Sequence, residues 1–464
     1  MTDATTTEAD VDARRLLSLF APLVLAACGG GDNDYGYGPT ISGPYANIQV
    51  LNASPDAPPL SVQIDGQTLV PYLDYGQGTG EQSISATSHT LTVQALTPGA
   101  PTTLFAEELA LPVVANTDYV VAVEGPVDNS VAISFTHALA VVPASSTRVQ
   151  VLNANPDAHD IAIFVTAPGA DLGSSTPLGT SYPQGSVGPV TLNAGAYEIR
   201  ITAAGTVTPV LYDSGPLEFL GGTDLVIAAL ENTGPGTSPF TLASVDALGN
   251  RAWLPDVNAP AALRVVHDSA NAPPLSVLLN GDVSAPLVAS IAFANATAYL
   301  NLTSAVAVLA LTPASNPNQT LVAQSLQLEG GTSHTLYALA PLAQIGEWVT
   351  RDDTRRYATQ AKLRIIQGSP GANLVDIYVL PSGTALSAAT SPTYAGVTFG
   401  GDTGFVSYAA GSYSITLTSA GTQNVLLGPT AVTLKNDGLY TTVARDAAGG
   451  GAPYGWILLD DLAP

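Results

Sequence analysis

Apolar and polar residues alternate through most of the chain beyond its first few dozen positions. In "IQVLNASPDAPPLSVQI" (48–64), Ile48 and Val50 flank Gln49; after a Pro/Asp turn, Leu60, Val62 and Ile64 alternate with Ser61 and Gln63. Successive side chains of a strand point to opposite faces, so period two on both sides of a turn predicts strand, tight turn, strand. The stretch returns without a gap as "VQVLNANPDAHDIAIFV" (149–165), "LRVVHDSANAPPLSVLL" (263–279) and "LRIIQGSPGANLVDIYV" (363–379). A second motif, "AGAYEIRITAAGT" (194–206), matches "AGSYSITLTSAGT" (410–422). Here Tyr197, Ile199 and Ile201 fall on one face and Glu198, Arg200 and Thr202 on the other. A third motif reads as a turn leading into a buried strand. It occurs as "NTDYVVAVEG" (116–125), "GTDLVIAALE" (222–231), "TSHTLYALAP" (332–341) and "NDGLYTTVAR" (436–445). Three units close on a tryptophan strand, "AWLPD" (252–256), "EWVTRDD" (347–353) and "GWILLDD" (455–461); such a ring suits core or domain-junction packing.

Four related units follow, at 45–143, 146–256, 260–353 and 360–464. Helical patterning is confined to the N-terminal leader and to "RDDTRRYATQAK" (351–362). Many short strands with turn signals at regular spacing predict an all-β fold of tandem immunoglobulin-like β-sandwich domains. A single large barrel or a propeller is the alternative, although propeller blades run to only ~40–50 residues. The connectors "VVPASST" (141–147) and "LPDVNAPA" (254–261) are short and carry proline. They predict a semi-rigid string of beads.

Composition narrows the partners. Lys and Arg number 13 against 37 Asp and Glu, a net charge of -24. Nucleic acid is excluded as a partner, because phosphate binding needs a basic patch. Charged residues make up only 11% of the chain, so acidic groups must keep a largely apolar surface soluble.

The single cysteine, Cys28, lies between an apolar run and a glycine-rich one. Arg14 and Arg15 precede the apolar stretch Leu16–Ala27, which suits a signal h-region and falls short of the ~20 residues a spanning helix needs. Leu25, Ala26, Ala27 and Cys28 resemble the lipobox of bacterial lipoproteins. That resemblance implies recognition of Leu25, Ala26 and Ala27 by a signal peptidase, cleavage of 1–27 and lipidation of Cys28. Three acyl chains, at ~0.8 kcal/mol per buried CH₂, would hold the chain to the membrane almost irreversibly. Gly29, where a retained lipoprotein would carry Asp, favours the outer membrane. A buried free thiol is the plain alternative, and the flanking residues argue against it. Residues 28–44 read as a lipidated cysteine followed by a flexible tether. Once Cys28 is acylated, no thiol remains for a disulfide.

The fourfold "NASPDAPPLSVQI" motif resembles a bacterial family known only as a domain of unknown function. Its members are secreted proteins and lipoproteins, often in tandem and often with an ASPDAP-like signature. The resemblance covers essentially residues 45–464 and implies an extracytoplasmic β-sandwich without assigned chemistry. No functional residue is established for that family, so none is carried over.

Internal repeats allow a test, because a ligand column keeps its ligand chemistry whereas a turn column keeps only its turn chemistry. The acidic column of the first motif runs Asp56, Asp157, Asn271, Gly371. These residues share tolerance of turn backbone rather than charge. Calcium is the competing reading. The third motif gives Asp118, Asp224, His334, Gly438, which places His334 in a pre-strand turn. His267 aligns with Asn52, Asn153 and Gln367, and His159 with Pro58, Pro273 and Asn373. Neither these nor His89 and His137 show a metal-type spacing, and each reads as a satisfied surface or turn residue. The "DD" pairs at 352–353 and 460–461 read as solvated strand-end carboxylates, with an interdomain calcium site as the alternative. No GxSxG elbow, Cys–His pair or phosphate cradle occurs. The expectation is a non-enzyme with no catalytic residues, no metal and no cofactor. Its partners would be the membrane, through lipid on Cys28, and an envelope protein or polysaccharide. Two roles fit: structural or adhesive display at the cell envelope, or a periplasmic glycan-binding or assembly accessory.

Overall fold

The first sandwich contains eight strands. They are β1 (Tyr45–Ala53), β2 (Leu60–Ile64), β3 (Gln67–Leu73), β4 (Gln82–Ser85), β5 (His89–Ala95), β6 (Thr102–Leu109), β7 (Thr117–Glu124) and β8 (Val131–Ala138). The structure is a computed structural model that describes residues 43–99, 101–109, 113–303 and 306–463. One sheet has the order β4-β1-β7-β8, the other β3-β2-β5-β6. β1 and β7 run parallel, in the register Asn47↔Asp118 to Ala53↔Glu124, while the remaining pairs are antiparallel. The three further sandwiches span Ser146–Leu254, Ala261–Asp352 and Ala361–Asp460 and repeat this order. Each has its own parallel closure: Ser146–Asn153 on Thr223–Glu231, Ala261–Asp268 on Ser333–Leu339, and Ala361–Gln367 on Leu439–Arg445. The fold class is therefore the all-β array of tandem sandwiches that the alternation predicts. Immunoglobulin domains group their strands as ABED and CFG; here the first strand lies between the fourth and the seventh. Residues 351–362 are not helical. They finish the strand Gly346–Asp352 and form an irregular linker.

Period two explains each core. β5 alternates strictly between buried and half-buried positions. Its Leu91 and Val93 meet Ile48 and Val50 of the opposite sheet in the first core. The other three sandwiches have equivalent cores, built around Val149 and Ile163, Val265 and Val277, and Ile365 and Ile377.

β1 behaves differently, because from Val50 to Ala53 it is buried on both faces. Its second face meets another domain. Leu51, Ala53, Val120 and Ala122 of the first sandwich pack on Leu152, Ala154, Val226, Ala228 and Leu230 of the second. Val266, Tyr337 and Leu339 of the third pack on Ile366, Val443, Ile457 and Leu459 of the fourth. The string of beads expected from the connectors is thus replaced by two face-to-face pairs. The linker after the third sandwich also folds back on the first. Arg355 donates from Nη1 to the Pro55 carbonyl at 3.3 Å and to the Ala57 carbonyl at 2.5 Å, and it pairs with Asp74. Ala358 N donates to the Asp56 carbonyl at 2.9 Å.

The second sandwich carries one addition. Its eighth strand, Phe240–Asp246, is extended by a ninth, Arg251–Leu254. "AWLPD" is therefore not equivalent to the other two tryptophan strands. Trp348 and Trp456 lie on eighth strands that pair directly with the seventh, whereas Trp253 lies on the added edge.

Candidate functional site

The turn of the first motif is used for backbone capping in the first, third and fourth sandwiches. Asp56 Oδ1 accepts from Val127 N at 2.8 Å, and Asn271 Oδ1 accepts from Leu342 N at 2.6 Å. Both amides open a 3₁₀ turn that follows the seventh strand. In the fourth sandwich the column holds Gly371, and the arrangement is inverted: Gly371 N donates to Asp446 Oδ1 at 3.2 Å. Asp and Asn are interchangeable here because an oxygen acceptor is needed and charge is not.

The third-motif column does more than form a turn. Asp118 lies within β7, almost fully buried, and Asp224 lies in the matching strand of the second sandwich. Arg148, from the first strand of the second sandwich, spans the two. Its Nη2 is 2.9 Å from Asp118 Oδ2 and its Nε 2.7 Å from Asp224 Oδ2, while Nη1 donates to the Ala138 carbonyl at 2.9 Å. Glu81 joins the group and accepts from Asn47 at 2.9 Å, and His137 Nδ1 lies 3.4 Å from Asp118. Burial raises the carboxyl pKa of Asp118, but the nearby His137 ring and the Arg148 hydrogen bond outweigh it and leave the group below its usual value. Burial, and then the charges of Asp118 and Asp224, push Glu81 up. The carboxylate oxygens of Glu81, Asp118 and Asp224 approach within 4.8 Å of one another, a spacing that would suit a hard cation. The Arg148 guanidinium already supplies positive charge between Asp118 and Asp224. Excess EDTA is therefore expected to leave the Tm of the purified protein nearly unchanged, as followed by circular dichroism. A drop of many degrees would assign these acids to a metal instead.

The solvated reading holds for the second residue of each "DD", since Asp353 and Asp461 are exposed, but the first is drawn into an ion pair between domains. Asp352 has no side-chain exposure, and Arg364 Nη1 reaches its Oδ1 at 2.6 Å from the neighbouring sandwich. Asp460 takes Arg264 Nη1 at 2.6 Å across the same interface. Arg264 and Arg364 occupy one repeat column, and Asp352 and Asp460 each open a "DD". Each arginine therefore reaches the other domain's aspartate, the reciprocity of a two-fold interface built within one chain. Tyr299 OH donates to Asp352 at 2.8 Å, and Arg364 Nε lies 2.9 Å from Asp402. Asp353 and Asp461 pair with Lys362 and Arg356 at 2.6 Å each.

His159 is exposed, as expected, whereas other histidines depart from the surface expectation. His267 is fully buried; its Nε2 lies 3.1 Å from the Pro273 carbonyl, and its Nδ1 accepts from Ser269 N at 3.3 Å. Burial lowers its pKa. His89 is also buried and pairs with Asp65 at 2.7 Å. His334 lies within a strand beside Thr332, 2.8 Å from its hydroxyl. Leu25, Ala26, Ala27 and Cys28 lie outside the described residues.

These features define a class: a β-sandwich repeat protein whose domains are joined in pairs through the sheet that contains each parallel closure. The chain belongs to the family described as "Domain of unknown function (DUF4397)", whose model matches residues 46–164 and 261–378. Each match covers one sandwich and the strand–turn–strand motif of its partner, so it crosses a paired interface. No curated protein matches the chain. Among solved structures, the Bacillus anthracis TIE protein is similar to 86% of this chain over 68% of its own, with 10% identity and a TM-score of 0.14.

Proposed function

We propose that this chain is a non-enzymatic lipoprotein, anchored through Cys28 and presenting two β-sandwich pairs at the bacterial cell envelope, in the outer membrane where the host has one. The observation that carries this reading is the run Leu25-Ala26-Ala27-Cys28 followed by a glycine-rich stretch up to the first strand. Two further features support it. The polar clusters at the paired interfaces are consumed by ion pairs that join domains. The four domains are also linked by sheet faces and by the Arg355 contact, which suits presentation of a fixed surface rather than a chain of free modules. The reading includes no catalytic group, metal or cofactor. The partner is an envelope protein or polysaccharide.

The decisive experiment is Cys28→Ser followed by cell fractionation. The variant is expected in the soluble fraction with its urea midpoint unchanged. Complete retention in membranes would refute the anchor. Protease treatment of intact cells then separates two forms of the reading. Degradation means surface display, and protection means a periplasmic accessory.

A further inference from the structure

A polar cleft of about 420 Å³ lies where the first three sandwiches meet. That size falls in the ~300–1,000 Å³ range of small-molecule sites. Its most prominent side chain is Trp253, on the ninth strand that only the second sandwich carries among the described residues. Trp348 packs on Tyr337 at a ring separation of 5.1 Å, and Trp456 donates to Thr430 at 3.0 Å. Trp253 instead remains 40% exposed.

The first sandwich holds the indole from one side. Tyr75 meets it edge-on, with centroids 6.1 Å apart. Gly76 lies against it so closely that an added Cβ would come 2.3 Å from Trp253 Cζ3, and the Gly76 backbone has a φ of +70°, where side chains are strained. Tyr75 is itself fixed by a 2.8 Å hydrogen bond from its hydroxyl to the Glu231 carbonyl. The opposite wall comes from the third sandwich and its linker, including Arg351 and Asp353, whose side chains are 62% and 53% exposed. Asp74 and Asp256 complete the rim.

We propose that this cleft binds a neutral oligosaccharide, with one sugar ring stacked on Trp253 and its hydroxyls hydrogen-bonded to the carboxylate and arginine rim. The chemistry selects that class. A fixed aromatic face takes the C–H side of a pyranose, and vicinal hydroxyls donate to carboxylates and accept from a guanidinium. Several rim carboxylates in a chain of net charge -24 disfavour anionic glycans. The polar wall disfavours a lipid. Trp253 stands outside the repeat columns, on the one strand among the described residues that does not recur. The inference deepens the display reading by giving the platform a ligand, yet it does not require the anchor.

The test is an array of neutral and acidic oligosaccharides probed with the full chain purified in detergent, followed by tryptophan-fluorescence titration of the best neutral binder. Trp253→Ala is expected to weaken binding about tenfold or more. Arg351→Gln, at an exposed position, is expected to weaken it several-fold with an unaltered urea midpoint, which covers the case in which Trp253→Ala perturbs the domain junction. The Cys28→Ser chain is expected to bind as the wild type does, so failure of the anchor and failure of the cleft are read separately. Absence of any neutral binder, binding of acidic glycans only, or affinity unmoved by both cleft variants would overturn the proposal.

Discussion

Replacing Arg364 by alanine is expected to destabilise the third and fourth sandwiches by about 3–5 kcal/mol, the usual cost of stranding one member of a buried ion pair. Asp352 has no side-chain exposure and would keep only Arg264, at 3.8 Å, as a cationic neighbour. Asp402 would lose its cationic partner as well and keep the Gly404 amide. Urea unfolding of the full chain measures the loss. The double variant Arg364→Met with Asp352→Leu should recover much of it, because burial of apolar groups replaces two desolvated charges. A single-variant loss below about 1 kcal/mol would mean that the pair contributes no more than an exposed one does.

Glu124→Gln is expected to raise stability at alkaline pH. Glu124 continues the face of Val120 and Ala122 toward the second sandwich; it is fully buried and neither carboxyl oxygen has a partner. Burial alone pushes its pKa up to about 8. The folded chain therefore keeps a proton that the unfolded chain releases near its ordinary value of 4.5. The sign follows directly. Stability is full below pH 4.5 and is lost as pH rises toward 8, by up to about 5 kcal/mol at 1.36 kcal/mol per unit. Glu124→Gln should flatten that decline. Glu124→Leu, which copies Leu230 from the same column, should also raise the Tm at pH 9. Glu347, held at about 7 by burial, titrates in the same window, so the wild-type minus variant difference isolates Glu124. Identical Tm values for wild type and Glu124→Gln at pH 6 and pH 9 would show that this carboxyl is not buried in solution.

The strands were legible in the sequence because period two reports on one buried face. The pairing of domains was legible in principle, but it lies in the other phase. Leu51, Leu152, Val266 and Ile366 form an apolar column out of step with Ile48 and Val50, and all four are buried between sandwiches. Alternation treats such a residue as an outward position, so a strand covered on both sides is mistaken for a half-exposed one. Arg264 and Arg364 carried a similar signal. Two of only 13 basic residues share a column within apolar strands, where an arginine needs a buried partner. Their aspartates were visible as "DD" but appeared solvated, because nothing local shows which domain faces which. The cleft was not legible at all. Trp253 resembled its two counterparts in spacing, and only the register of an added edge strand separates it from them.

The parallel closure of every sandwich has a kinetic consequence. β1 lies at the centre of its sheet, yet its parallel partner β7 is nearly the last strand of its unit to be synthesised. Contacts between such remote segments give high contact order, which slows folding. A nascent chain would carry each first strand unpaired on one side until the seventh emerges, and its outer face would stay wet until the next sandwich is complete. Interception by chaperones or stray strands should therefore concentrate on the odd-numbered units, whose partners arrive last.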